Sequence, residues 1–362
     1  MEKVQENKKR NANIELLRIL SMLMVTTLHA LGKSGLLISL GGDVPLNGWI
    51  AWIMEVLSIC AVNVYMLITG YFLINSKFSV RRLIELVAQT LFYMIGLFFF
   101  FWLIGVVSAE SLNVYFILQY VFPIHMDVYW FMTSYLVLYL VIPLLSEGVR
   151  ALSEKQLRIM LICLLIYESV IKSVLPFRFT ADDRGYSFLW YLTIALLGSY
   201  FRLHGFGPLK NARLGLIAYF GGSLLALLEV FAIDQVNART GHLNEIIHVS
   251  IEYNHLFVLI AAAGLFAALV NAKPVGEKVG KVACAISPYV LGVYLFQENL
   301  SIRYEWQKWF GLKDSVNDPI YLFLPRLLLA ILAMFVLGIL VDFLRSKLFK
   351  LFDRRGGKRC RI

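Results

Sequence analysis

The sequence predicts an all-α protein, a polytopic membrane helix bundle of about ten transmembrane helices with both termini in the cytoplasm. Three observations predict it. Of 362 residues, 59% are hydrophobic and only 16% are charged, a balance outside that of soluble domains, and the mean hydropathy is +0.71. Apolar runs near the spanning length of about 20 residues recur along the chain. Basic residues crowd every second connection between those runs, which is the orientation signal of a membrane protein. The net charge of +10 therefore reads as topology rather than as a nucleic-acid footprint, and no nucleic-acid partner is expected.

Residues 1–13 form a short cytoplasmic segment with Lys3, Lys8, Lys9 and Arg10. The first run, 14–32, has no signal cleavage site and is expected to stay as the first helix. It carries Arg18 and His29. At about 100° and 1.5 Å per residue, the two lie roughly 20° apart around the helix and roughly 16.5 Å apart along it. Charged or titratable groups inside hydrocarbon are by default functional groups turned toward the bundle interior. The competing reading has Arg18 reaching to the headgroups and His29 as a hydrogen-bonded interior residue.

The second run, 49–73, ends in Asn63-Val-Tyr65 and Thr69-Gly70-Tyr71, and Lys77, Arg81 and Arg82 follow it. Such residues anchor topology. With Arg18 in the same half of the membrane, they also suit the phosphates of a cytoplasmic donor such as a nucleotide or coenzyme A. The third run is 83–107, and a short apolar piece at 112–124 reads as re-entrant or interfacial. The fourth, 128–145, opens on Tyr129-Trp130-Phe131, either a carbohydrate platform or interfacial anchors.

Runs at 157–176, 186–203, 212–232 and 248–270 follow. The ninth, 283–302, closes with Tyr294-Leu-Phe-Gln297-Glu298. Glu298 lies a few residues below Arg303 and His29 a few below Lys33, which puts the two at similar depth. A carboxylate there would fix the tautomer of the imidazole and raise its basicity. Alternatively it faces interfacial water or pairs with Arg303. The tenth run is 321–344, so that 14–344 reads as one membrane domain and 345–362 as a basic cytoplasmic tail. The histidines and Cys60, Cys163, Cys284 and Cys360 show no ligand spacing, so neither a metal nor a structural disulfide is expected.

Four landmarks, in this order, carry a family resemblance: Arg18 to His29; Val62-Asn-Val-Tyr with Thr69-Gly-Tyr-Phe-Leu and Arg81-Arg82; Tyr129-Trp-Phe; and Val293-Tyr-Leu. Over nearly its whole length the chain resembles the membrane acyltransferase 3 family. The resemblance implies transfer of an acyl group, commonly acetyl from acetyl-CoA, to a hydroxyl of an exported or cell-surface polysaccharide or its lipid-linked precursor. It implies a bacterial cytoplasmic membrane and the machinery of envelope polysaccharide synthesis as a partner. His29 corresponds to the family's catalytic histidine and Arg18 to its paired arginine, with Glu298 expected beside them. Arg81 and Arg82, with Lys77, are expected near the acyl-CoA donor, and Tyr129, Trp130 and Gln297 toward the glycan acceptor. Gln297 stands where many relatives carry histidine, and it can hydrogen-bond but not titrate. The alternative implied by the same architecture is a transporter or exporter of a polysaccharide or small polar solute, which would have no reason to bind acetyl-CoA.

Overall fold

The computed structural model describes residues 10–107, 113–176 and 183–356. Lys3, Lys8, Lys9, Arg178 and Cys360 lie outside them. Among the described residues all regular structure is helical. In chain order the elements are α1 (Ala12–Gly32), α2 (Leu46–Ser58), α3 (Ala61–Leu73), α4 (Val80–Leu91) and α5 (Leu97–Leu103). Then come α6 (Val114–Val121), α7 (Trp130–Ala151), α8 (Glu154–Leu165), α9 (Ile171–Val174), α10 (Phe188–His204) and α11 (Ala212–Thr240). The chain closes with α12 (Leu256–Val270), α13 (Glu277–Ile286), α14 (Val290–Gln297), α15 (Trp306–Trp309) and α16 (Ile320–Gly356).

Among the described residues, eight stretches are long and apolar enough to cross a membrane: Ala12–Gly32, Leu46–Leu73, Val80–Leu103, Trp130–Ala151, Ala212–Thr240, Asn244–Val270, Glu277–Gln297 and Ile320–Leu351. Helices also occupy the two remaining positions that hydropathy predicts, but with different character. The α8–α9 stretch carries Glu154, Lys155, Arg158, Glu168 and Lys172 and passes through a π-helical turn at Ile166–Val170. The other, α10, has 17 residues, just short of a full crossing. The ninth run also differs from its predicted limits. It begins at Glu277 and is interrupted at Ser287–Tyr289, where Pro288 forces a single 3-10 turn between α13 and α14.

The central helix is α1, which contacts α2, α3, α12, α13, α14 and α16. Its start is well specified. The Asn11 side chain accepts from Asn13 N at 3.1 Å, and Glu15 lies in the first turn, where the helix dipole favours an acid. Asn13 Nδ2 donates to the carbonyls of Leu269, Ala272 and Lys273 at 3.1–3.2 Å. Its Oδ1 accepts from Val275 N at 3.0 Å, which ties α1 to the connection after α12.

Small residues let the remaining helices close on this axis, since packing rather than water drives helix association in lipid. A Cβ at Gly70 of α3 would overlap the Ala195 carbonyl of α10, and one at Gly198 of α10 would overlap that of Leu67. Behind α14, the buried Asp342 of α16 accepts from Gln89 Nε2 at 2.9 Å, Tyr93 Oη at 3.1 Å and Arg345 Nε at 2.7 Å. Gly292 lies against Asp342 and Tyr93. This cluster joins α4, α14 and α16 and fixes the face that α14 turns to α1. Large apolar side chains such as Phe99, Phe100, Leu103, Leu216, Phe220 and Leu332 point outward, as lipid-facing positions do.

Candidate active site

On α1 a chain of residues faces a single cavity of about 370 Å³: Arg18, Met22, Val25 and His29, with Arg10 just before the helix. Arg82 of α4 joins Arg10 and Arg18 at one end. Trp130 of α7, Tyr253 and Tyr294 of α14 join His29 at the other. Between the ends the wall is largely apolar, with Val25, Val62, Ile68, Leu86 and Phe131 among its residues. The cavity is thus basic at one end, apolar along its shaft, and carries an imidazole at the far end.

The basic end is held by buried carboxylate chemistry. Arg18 Nη1 donates to both Glu15 oxygens at 3.0 Å, and Glu15 Oε2 accepts from Ser287 Oγ at 2.5 Å. Tyr65 Oη donates to the Arg18 carbonyl at 2.6 Å, and the guanidinium lies 5.8 Å from the centroid of the Phe72 ring. Engaged through Nη1, Arg18 is held in direction while it lines the cavity. Arg10 Nη1 donates to the Cys284 carbonyl at 3.3 Å.

The imidazole end is built around Glu298, the residue that closes α14. Its Oε1 lies 3.3 Å from His29 Nδ1 and also meets Lys33 Nζ, while Oε2 lies 3.5 Å from Arg303 Nη2. The His29 contact is an ion-pair approach without the alignment of a hydrogen bond. With Nδ1 turned to the carboxylate, Nε2 is the nitrogen left for chemistry. Glu298 lies just beyond the end of its span. Burial pushes its carboxyl up, but His29, Lys33 and Arg303 outweigh that and hold it below the ordinary carboxylate range. Gln307 Nε2 donates to the His29 carbonyl at 3.4 Å and to that of Arg303 at 3.0 Å, which locks the outer turn around the pair.

The residues expected from sequence divide into two groups. His29, Arg18, Arg82 and Trp130 line the cavity, and Glu298 supports it from behind. Trp130 already has one indole face stacked on Tyr253 at 5.6 Å and an edge against Tyr186 at 4.2 Å. Lys77 is exposed in the connection between α3 and α4, and Arg81 pairs with Glu85 at 3.1 Å on the exposed side of α4. Neither lines the cavity. Tyr129 is buried behind Tyr294, at 5.8 Å between ring centroids, and its hydroxyl donates to the Leu295 carbonyl at 2.8 Å. Gln297 is likewise buried away from the cavity.

The cavity also includes residues to which the sequence assigns no role at the site: Arg10, Tyr65, Thr69, Tyr135, Tyr253 and Ser287. For the α3 contribution a signal was present. Val62, Tyr65 and Thr69 follow a 3-4 helical spacing and share one face. Arg10 reads in the sequence as an orientation residue, and Tyr253 and Ser287 lie outside the α-helices, where periodicity gives no face.

A family model described as an acyltransferase domain matches residues 11–343. No curated protein and no solved structure matches the chain significantly.

Proposed function

The chain belongs to the membrane acyltransferase 3 family, and from that premise we propose that it moves an acetyl group from cytoplasmic acetyl-CoA to a hydroxyl of an exported or cell-surface polysaccharide. The supporting observation is the cavity that joins three guanidiniums to one imidazole through an apolar shaft. Phosphates bind guanidinium groups with little loss of hydration energy. The roughly 16.5 Å between Arg18 and His29 calls for an elongated donor, anchored by phosphates at one end and reactive at the other. Acetyl-CoA has that shape.

In this reading the donor enters from the cytoplasm. Arg10, Arg18 and Arg82 receive its phosphates, and the thioester arm lies along Met22 and Val25 toward His29. Nε2 of His29 takes the proton from the acceptor hydroxyl as that oxygen attacks the thioester carbon, and the proton then passes to the departing thiolate. Glu298 holds the imidazole with Nε2 free and favours the imidazolium as it forms. The chain crosses a bacterial plasma membrane ten times in this proposal, with α8–α9 and α10 completing the set and both termini in the cytoplasm. The acceptor glycan, or its lipid-linked precursor, approaches the His29 end from outside, beside the polysaccharide synthesis machinery.

The test is compositional. Ester-linked acetyl groups on envelope glycans are measured in cells carrying the wild-type protein, His29→Ala, or no protein. His29→Ala should insert normally and leave ester content at the level of the deletion. Wild-type ester content in that variant would overturn the proposal. A thermal shift of the purified protein with acetyl-CoA separates it from a transporter, which has no use for the donor.

A further inference from the structure

The proposed reaction places negative charge on the carbonyl oxygen of the acyl group, and His29 with Glu298 handle only the proton. A donor aimed at that oxygen is usually the largest single contribution to acyl transfer. Tyr294 and Glu298 are four residues apart, and Tyr294 lies on the α14 face turned to α1. Glu298 approaches the imidazole, and the Tyr294 ring lies 6.4 Å from it between centroids while lining the cavity.

Two further features meet at this ring. The hydroxyls of Tyr294 and Tyr191 are both buried without a hydrogen-bond partner among the described residues, in side chains more than nine-tenths buried. Both rings pack on Phe131, at 5.7 and 5.8 Å between centroids. Phe131 is the second residue of α7, a helix of 22 residues whose first residue, Trp130, also lines the cavity. The first bond that closes this helix runs from Thr133 N to the Tyr129 carbonyl at 3.0 Å, and Tyr129 supplies no side-chain cap. The N–H groups of Trp130, Phe131 and Met132 therefore carry the positive end of the helix dipole. Arg303 Nη2, which donates to the Val128 carbonyl at 2.8 Å, adds a positive charge just before it.

We propose that Tyr294 is a catalytic residue: its hydroxyl donates to the carbonyl oxygen of the acyl thioester, backed by the N-terminus of α7. This rests on the acyl-transfer reading above. As the acceptor oxygen bonds to the thioester carbon, the C=O pair moves onto oxygen and is held by Tyr294 O–H. When the carbonyl re-forms, the C–S bond breaks and the thiolate takes the proton from His29. Closure against Phe131 and Tyr191 keeps water off this donor until the acyl group arrives.

The experiment uses full-length protein. Tyr294→Phe keeps the ring and its packing, and 3-fluorotyrosine at position 294 keeps a hydroxyl. Acetyl-ester formation on envelope glycans is measured per inserted protein, and acetyl-CoA affinity is measured on the purified chain. Tyr294→Phe should lower ester formation by about 10²–10³-fold with donor affinity unchanged within about twofold, and 3-fluorotyrosine should restore most of the rate. A Tyr294→Phe protein with wild-type ester formation overturns the inference, and so does one whose loss is matched by lost donor affinity. A wild-type protein that binds acetyl-CoA and forms ester while either of those results holds leaves the function standing and removes only Tyr294. A wild-type protein that does neither removes the function, and this inference with it.

Discussion

Glu298 meets His29, Lys33 and Arg303 at once, and this makes its substitution informative. Glu298→Gln keeps the shape but leaves two mostly buried cations without their counter-charge, a change that costs on the order of 3 kcal/mol. The carboxyl is held below its ordinary range in the folded chain. Its contribution is therefore present above the unfolded carboxylate pKa and is lost as pH falls through the folded one. Thermal unfolding of wild type and Glu298→Gln should differ clearly at neutral pH and converge well below about pH 4. A gap that persists in acid would show that packing, not charge, sets the difference. At the basic end, Arg82→Ala should weaken acetyl-CoA binding by about tenfold, while Arg81→Ala, on the exposed side of α4, should leave it nearly unchanged. Equal effects from the two would remove Arg82 from the donor site.

Among helices, the contact of α3 with α10 is the most demanding, because backbone meets backbone at Gly70 and Gly198. Gly198→Leu has no room without separating the two helices, and Asn63 of α3, which accepts from Trp190 Nε1 of α10 at 2.9 Å, would lose its partner. The expected outcome is poor accumulation of inserted protein, read by detergent-extracted yield and unfolding temperature, with at least about 3 kcal/mol lost. The element scale also shows what the chain disclosed in advance. Arg18 and His29 were legible because an unbroken apolar helix has one period and two rare polar residues on it. Glu298 was legible from depth, since Lys33 and Arg303 mark the same interface. Tyr294 was visible only as part of a motif, because its position beside His29 depends on the interruption at Ser287–Tyr289 that sets the rotation of α14. Arg81 shares sequence context with Arg82 yet points elsewhere, because successive residues on α4 diverge by about 100°, and Lys77 precedes the helix in the connection from α3.

At the scale of the whole molecule, the regular structure of the described residues is helical, and eight stretches among them are long and apolar enough to cross a membrane. Hydropathy alone marks ten positions, and α8–α9 and α10 differ from the others for a physical reason. The first of these buries Glu168 and Lys172 against polar neighbours, with Thr193 Oγ1 donating to Glu168 Oε2 at 2.5 Å and Lys172 Nζ 3.0 Å from Glu252. Residues so paired can sit inside a bundle without an apolar surface of their own. The ten crossings proposed above would leave both termini on one side. A fluorescent reporter fused after Ile362 should glow in the cytoplasm, and an alkaline phosphatase fused there should be inactive. Active phosphatase would overturn that topology.

Arg18 and His29 ride on a single uninterrupted helix, so their separation along the axis does not depend on how the neighbouring elements pack. In the proposed reaction such a ruler would select carriers by reach: a donor with a shorter arm would be gripped but not delivered, and no loosening of the bundle would bring it into register.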